Sequence, residues 1–316
     1  MDVAEFETRP RGQFSFASAK DHFGGWPEFP AAPDAIAMCF PVEGWHGAAA
    51  VIVRERPGGR VAAEVHADDP ARAWSQAEAV LSLDVDASGF GEVGRRDPAI
   101  GRLQSLYPGL RPVLFHSPYE AACSFVIGQR ISIAQTRAIR ARMAEESGAT
   151  VRVGGTTLNA FPSPADLIRL DGIQGVSAEK VERLHGVARA ALAGVLDRAR
   201  LRAMPVDDAL RELQEIRGVG PFSAQGTLMR GAGLVDALTD DPVTPQAVQA
   251  LLGLPEPPSP EKVARMAEAW RPFRMWTLVL LHVWFRRDAG GPRRRSTGSR
   301  PGGGPRTTRG RKEPAA

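Results

Sequence analysis

Three short stretches of this 316-residue chain hold residue types that can do chemistry. In residues 213–226, LQEIRGVGPFSAQG, Gly218 and Gly220 interrupt a helical pattern and Pro221 restarts it. Glycines spaced Gly-x-Gly between helices permit positive φ and let another backbone approach with no Cβ in the way. The amides opening the second helix then face outward at its positive dipole end, an anion site whose usual occupant is phosphate. In LTDDPVTPQAVQALLG, Asp240 and Asp241 stand directly before a helix. Read plainly, Asp241 is an N-cap with Pro242 at the first helical position. The alternative is a helix that begins at Pro245 with Thr244 as its cap, which leaves DDPVT as loop and Asp240 better placed. Adjacent loop carboxylates without a third ligand rarely make a metal site. In the third stretch, Gln129 and Arg130 follow Gly128 at a break between helices, where a long side chain can project.

These residues need elements to hold them. SPYE at 117–120 reads as a capping box, with Ser117 as cap, Pro118 at the first helical position and Glu120 reaching back. Ser132 with Gln135 makes a second box, so the first helix must end near Gly128. SPADLIRL, SAEKVERLHGVARAALAGVL, VDDALRELQEIRG and a segment from Pro221 to Arg230 continue the helical pattern. QAVQALLG, SPEKVARMAEAW and PFRMWTLVLLHVWFRR complete it to about residue 288. LIRLDGIQGVSAEKVERL repeats the grammar of the Gly-x-Gly stretch, with Ser177 where Gly220 would stand. Upstream, DAIAMCF and AAAVIVRERPGGRVAAEVH read as strands, the latter pair joined by a turn at Pro57-Gly58-Gly59. DPARAWSQAEAVLSLD reads as a helix with Pro70 in its first turn. The fold class is α+β, divided into an N-terminal extension (1–13), a small α+β domain (14–112), a helical region (113–288) and a basic tail (289–316).

Charge is concentrated in that tail. The chain carries +4; the tail contributes +7, from eight Arg and Lys against Glu313, which leaves −3 for the rest. The pI of about 9.5 therefore describes the tail, whose Gly, Pro, Arg and Thr cannot bury enough apolar surface to fold. Tethered cations raise affinity for nucleic acid without reading sequence; a solvated solubility tail is the plainer role. Two cysteines are too few for a disulfide framework or a structural zinc site and fit a reducing cytoplasm. The acidic N-terminus has no secretory pattern, and the eleven-residue apolar run at 275–285, which contains His282, is too short to span a bilayer.

Beyond these local patterns, LQEIRGVGPFSAQGTLMRG resembles the helix-hairpin-helix of the base-excision DNA glycosylases that carry a Gly/Pro-rich loop and a catalytic Asp. SPYEAACSFVIGQRISIAQTRAIRARMAEESG is similar to that family's first helices, with their Ile-Leu-Gly-Gln-x-x-Ser segment. FPSPADLIRLDGI and AEAWRPFRMWTLVLLHVW resemble the alkylation-repair branch, 3-methyladenine DNA glycosylase II. The resemblance covers about residues 14–288. It implies a TATA-binding-protein-like N-terminal domain, double-stranded DNA containing damaged bases as partner, no cofactor, a monomer with no membrane attachment, and work in the bacterial cytoplasm at the nucleoid.

The resemblance also implies roles. A flipped-out nucleotide loses its base by hydrolysis at C1′, and a carboxylate stabilises the oxocarbenium-like charge that develops. Asp241 matches that carboxylate, with Asp240 as runner-up. Where bifunctional relatives carry a Schiff-base Lys, this chain has Phe222, which implies a monofunctional enzyme that leaves an abasic site. Phe222 and Trp284 match pocket aromatics, whose faces attract a cationic alkylpurine; Trp284 also fits a core stripe with Trp276, Leu280 and Val283. Gly226 stands where a pocket aromatic is expected. Arg130 takes the place of the residue that fills the gap in the stack, with Gln129 beside it, where an apolar wedge is more usual. Gly218, Gly220 and the Ser223 hydroxyl match phosphate contacts, and the carbonyls of Gln214, Ile216 and Gly218 match positions that hold a monovalent cation. Gly226, Arg130 and the irregular DDPVT also suit a non-catalytic helix-hairpin-helix DNA-binding protein derived from such an enzyme.

Overall fold

The computed structural model describes residues 1–21, 25–239 and 241–290. The tail from 291 and the runner-up Asp240 lie outside the described residues.

Four antiparallel strands form the N-terminal sheet in the order β1-β4-β3-β2: β1 (Asp2–Thr8), β2 (Ile36–Pro41), β3 (Ala48–Arg56) and β4 (Arg60–Ala67). β1 corrects the first expectation. Residues 1–13 are no extension, because Asp2 to Thr8 pair with Ala67 to Val61 along one edge. The strand alternates half-buried and exposed residues and carries three acids, so its apolar signal is weak until β4 lies beside it.

Every residue of β2 is buried, because both faces of the sheet are covered. Ile36, Met38 and Phe40 pack with α1 (Phe16–Asp21) and α2 (Pro70–Val80) through Phe16, Ala73, Trp74 and Ala77. Ala37 and Cys39 face the other way, onto Val151, Val153 and Leu158. Those three come from a hairpin, β5 (Thr150–Val153) and β6 (Thr156–Asn159), which departs from the all-helical expectation downstream of residue 117. Its period-2 alternation around Gly154-Gly155 is an ordinary hairpin signature.

α3 (Phe90–Arg96) and α4 (Pro98–Leu106) belong spatially to the far end of the chain. Val93, Ile100 and Leu103 pack with Trp270, Phe273 and Trp276, and Trp270 Nε1 donates to Asp97 Oδ2 at 2.8 Å. With them go α12 (Val243–Leu252), α13 (Pro260–Ala267) and α14 (Arg274–Arg287). The division at residue 112 thus follows the chain and not the packing.

A second helical core gathers α5 (Pro118–Gly128), α6 (Ile133–Ser147), α7 (Pro164–Ile168), α8 (Ala178–Leu192), α9 (Arg198–Ala203), α10 (Val206–Glu215) and α11 (Pro221–Gly226). The Ser132–Gln135 capping box is complete. The Ser117 box is half formed: Ser117 caps the Glu120 amide, while the buried Glu120 carboxylate accepts from His116 Nδ1 (2.8 Å) and from Arg140. Burial raises the Glu120 pKa, but the His116 ring and the Arg140 guanidinium outweigh it and hold the carboxyl at about 2.

Where one helix was expected from Pro221 to Arg230, α11 ends at Gly226 and a π-helical turn runs Thr227–Ala232. Leu228 and Ala232 pack into one core and Met229 into the other, so this wide turn is the seam between them.

Candidate functional site

The hairpin sits between α10 and α11. Gly218 has φ +91°, which demands glycine, and a Cβ there would also strike the Arg183 side chain. Gly220 is extended (φ −82°, ψ 179°) and has no atom within 4 Å of its would-be Cβ. Its glycine therefore leaves an open approach to the backbone and does not relieve strain. Pro221 opens α11 as expected, and Pro221 and Phe222 are exposed. Ser223 is only 6% exposed, which withdraws its hydroxyl from the surface a phosphate would meet.

Gln129 does not project into a gap. Its Nε2 donates to the Gly218 carbonyl at 2.8 Å and its Oε1 accepts from Arg183 at 2.7 Å, which stitches the α5–α6 junction to the hairpin. Lys180 Nζ donates to the carbonyls of Ile127 (2.9 Å) and Gln129 (2.6 Å) and so finishes α5. On this anchored turn Arg130 stands exposed with φ +61°, a left-handed conformation uncommon for a side chain of its size. The Gly218 oxygen is taken by Gln129, and the Ile216 oxygen accepts from Val219 N at 2.9 Å. Each of these two oxygens thus spends one of its lone pairs inside the protein.

The aromatic expected at Gly226 is supplied from elsewhere. A Cβ on Gly226 would lie 2.2 Å from Cζ of Phe125, so the Phe125 ring of α5 occupies the space a side chain there would need. Phe125 meets Phe222 edge to face at 5.8 Å and Phe115 at 6.0 Å, and Arg140 lies 5.2 Å over the Phe115 ring. Phe222 is 56% exposed, an apolar ring held at the rim by this row. Gly226→Ala is accordingly expected to cost about 1–3 kcal/mol by overpacking. Combining it with Phe125→Leu should recover part of that loss in urea unfolding; additive losses would show that the two positions do not share a space.

Asp241 is 9% exposed and fully engaged. Its Oδ1 accepts the amides of Val243 and Thr244, each at 2.9 Å. Its Oδ2 accepts the hydroxyls of Thr239 (2.8 Å) and Thr244 (2.7 Å). The α12 helix thus starts at Val243 and not at Pro245, and Asp241 holds its first turn. Burial opposes its charge, but the His282 ring, the two hydroxyls and the Thr244 amide together hold its pKa below the usual carboxylate value. His282 Nε2 lies 2.9 Å from Thr244 Oγ1 and 3.4 Å from Asp241 Oδ1. Burial pushes this imidazole down to about 4, against the pull of Asp241, so it is neutral at pH 7. Arg230, in the π-helical turn, and Arg286, one helical turn beyond His282, add to that shift. The Asp241 carboxylate stays charged yet has no lone pair to spare for a proton, which suits stabilising a cation better than acting as a base.

Trp284 lies outside this cluster. It is half-buried against the C-terminal core, and at about 100° per residue it points about 200° around α14 from His282. Among the described residues, no group of three or more His, Cys, Asp or Glu side chains could hold a metal ion. No helix among them is long and apolar enough to cross a membrane. Phe125, Thr239 and His282 are the site residues that local sequence patterns did not single out, and Thr244 was read only as an alternative cap; the lone His inside an apolar run was the one hint of His282.

No family model matches the chain. It is 26% identical over 227 residues to the DNA-3-methyladenine glycosylase of Bacillus subtilis, covering 67% of this chain and 74% of that one. It is 29% identical over 194 residues to DNA-3-methyladenine glycosylase 2 of Escherichia coli, covering 59% of this chain and 64% of that one. Its fold is shared with a 3-methyladenine DNA-glycosylase from Archaeoglobus fulgidus at a TM-score of 0.74 and 20% identity, over 89% of this chain and 98% of the other.

Proposed function

We infer that this chain, a member of the helix-hairpin-helix DNA glycosylase superfamily on its 3-methyladenine DNA glycosylase II branch, hydrolyses the N-glycosidic bond of alkylated bases in DNA. The observation that carries the reading is an ionised Asp241, tied down by four donors at the start of the helix that follows the hairpin, whose exposed ring, Phe222, packs on Phe125. An N3- or N7-alkylated purine is cationic and leaves readily once flipped out, so the protein need only stabilise positive charge at the sugar. Asp241 does that. Phe222 offers its face to the base. With Phe and no Lys at position 222, the product is an abasic site with an intact backbone.

The backbone at Gly218 and Gly220 binds a DNA phosphate, and Arg130 fills the gap in the stack. The four-stranded sheet with its helices corresponds to the TATA-binding-protein-like domain of that branch. DNA with damaged bases is the partner, and a monomer in the cytoplasm is the state that fits.

Two features that suited a non-catalytic binding protein no longer do so: Phe125 explains Gly226, and residues 241–244 form a hydrogen-bonded helix start. The test is incubation with methylated duplex DNA. Free 3-methyladenine and 7-methylguanine should appear with strands that break only on later alkaline treatment; absence of any free base would overturn the reading. Arg130→Gly should melt at or slightly above the wild-type temperature, because glycine accepts φ +61° without strain. It should also bind lesion DNA more weakly in a titration, whereas unchanged binding would remove Arg130 from the gap.

A further inference from the structure

We propose that His282 is a positioning residue for the glycosidic-bond hydrolysis: by donating from Nε2 to Thr244 Oγ1, it aims the Thr244 hydroxyl at Asp241 and locks the carboxylate in its working orientation. The proposal rests on the reading of Asp241 as the charge-stabilising carboxylate. The geometry leaves little freedom. Thr244 has one hydroxyl proton, and Asp241 Oδ2, an ionised acceptor 2.7 Å away, takes it. Thr244 Oγ1 can then face His282 Nε2 at 2.9 Å only as an acceptor, so Nε2 must carry hydrogen. A neutral Nε2–H imidazole satisfies this. The order of donation is His282 Nε2–H to Thr244 Oγ1–H to Asp241 Oδ2, each step a side chain fixed by burial.

Thr244 and His282 lie 38 residues apart on α12 and α14, so the chain also joins the helix that Asp241 caps to the helix behind it. Without His282, the Thr244 hydroxyl can rotate away and Asp241 Oδ2 keeps only Thr239 as a fixed side-chain donor. The charged groups facing His282 are Asp241, Arg286 and Arg230.

The test uses the full chain and methylated duplex DNA under single turnover, with Kd measured on a duplex carrying an abasic-site analogue. His282→Leu should slow base release about ten- to a hundredfold, the loss of one hydrogen bond in a charge-holding chain, with Kd changed less than about threefold. His282→Gln, whose amide can donate from the Nε2 position, should restore most of the rate. Thr244→Val should be as slow as His282→Leu, Thr244→Ser near wild type, and the His282→Leu/Thr244→Val pair no slower than either single variant. If His282→Leu unfolds, the Val and Ser variants at Thr244 decide. A wild-type rate for His282→Leu or Thr244→Val overturns the proposal, as does an equal loss in His282→Gln and His282→Leu. Asp241→Asn separates the two readings: a wild-type rate there removes the catalytic assignment and this proposal with it. An inactive Asp241→Asn beside an unimpaired His282→Leu removes only the role of His282.

Discussion

Asp241→Asn is expected to slow release of methylated bases by about 10²–10³-fold while leaving the fold and DNA binding close to wild type. The separation follows from the two jobs this side chain does. As a cap it accepts the Val243 and Thr244 amides through Oδ1, and an Asn oxygen accepts the same two bonds, Asn being as good a cap as Asp. In the proposed reaction its charge stabilises a cation at the sugar, and an amide carries none. The Asn NH₂ also meets the hydroxyls of Thr239 and Thr244, which must turn from donors into acceptors, so the carboxylate's place is kept with its electrostatics removed. The measurement is a single-turnover time course of free 3-methyladenine and 7-methylguanine, beside a melting curve and a DNA titration. A rate within a few-fold of wild type would show that another group bears the charge at the sugar.

Acid stability gives the second large effect. His282 is held at about 4 in the folded chain, against about 6.5 in an unfolded one. Between those values the unfolded chain takes up a proton that the folded chain refuses, so stability falls as pH drops from about 6.5 to about 4. The two-and-a-half-unit difference corresponds to about 3 kcal/mol at 1.36 kcal/mol per unit. Above about 6.5 the ring is neutral in both states and contributes no slope. Asp241 acts in a lower window: its depressed pKa stabilises the fold above the unfolded carboxylate value of about 3.9, and that is lost as pH falls further, through the folded value. Urea unfolding from pH 7 to 4 should show the loss in wild type and a flatter profile in His282→Gln. Equal slopes in the two proteins would place the acid-sensitive group elsewhere.

The site was only partly legible in the sequence, and the reason differs from residue to residue. Gly218 could be read because a helix stop followed at once by a restart needs a positive φ within a few residues, and φ is a property of one residue. The Ser132–Gln135 box and the start of α11 at Pro221 are likewise settled within one turn of helix. Asp241 was found for a local reason too, since an acid before a helix satisfies amides two and three residues on. The start of α12 stayed open between Pro242 and Pro245 because Asp241 and Thr244 are both competent caps; the helix begins at Val243. The surrounding packing, with Thr244 turned inward onto His282, chose between them.

By itself, then, the sequence determined the residues whose chemistry is local: the hairpin glycines, the helix caps, the acid before α12 and the Phe in place of a Lys at position 222. The tertiary structure alone decided the partners. Phe125 fills the space above Gly226 from a helix a hundred residues upstream, Gln129 reaches Gly218 across 89 residues, and His282 reaches Thr244 across 38. β1 became a strand only beside β4, and α3 and α4 joined the C-terminal core rather than the sheet that precedes them. Hydrogen-bond caps and backbone dihedrals act over three or four residues and leave a periodic trace. Ring contacts and buried donors act over a few ångströms between segments that the chain brings together only on folding, and no local pattern records them.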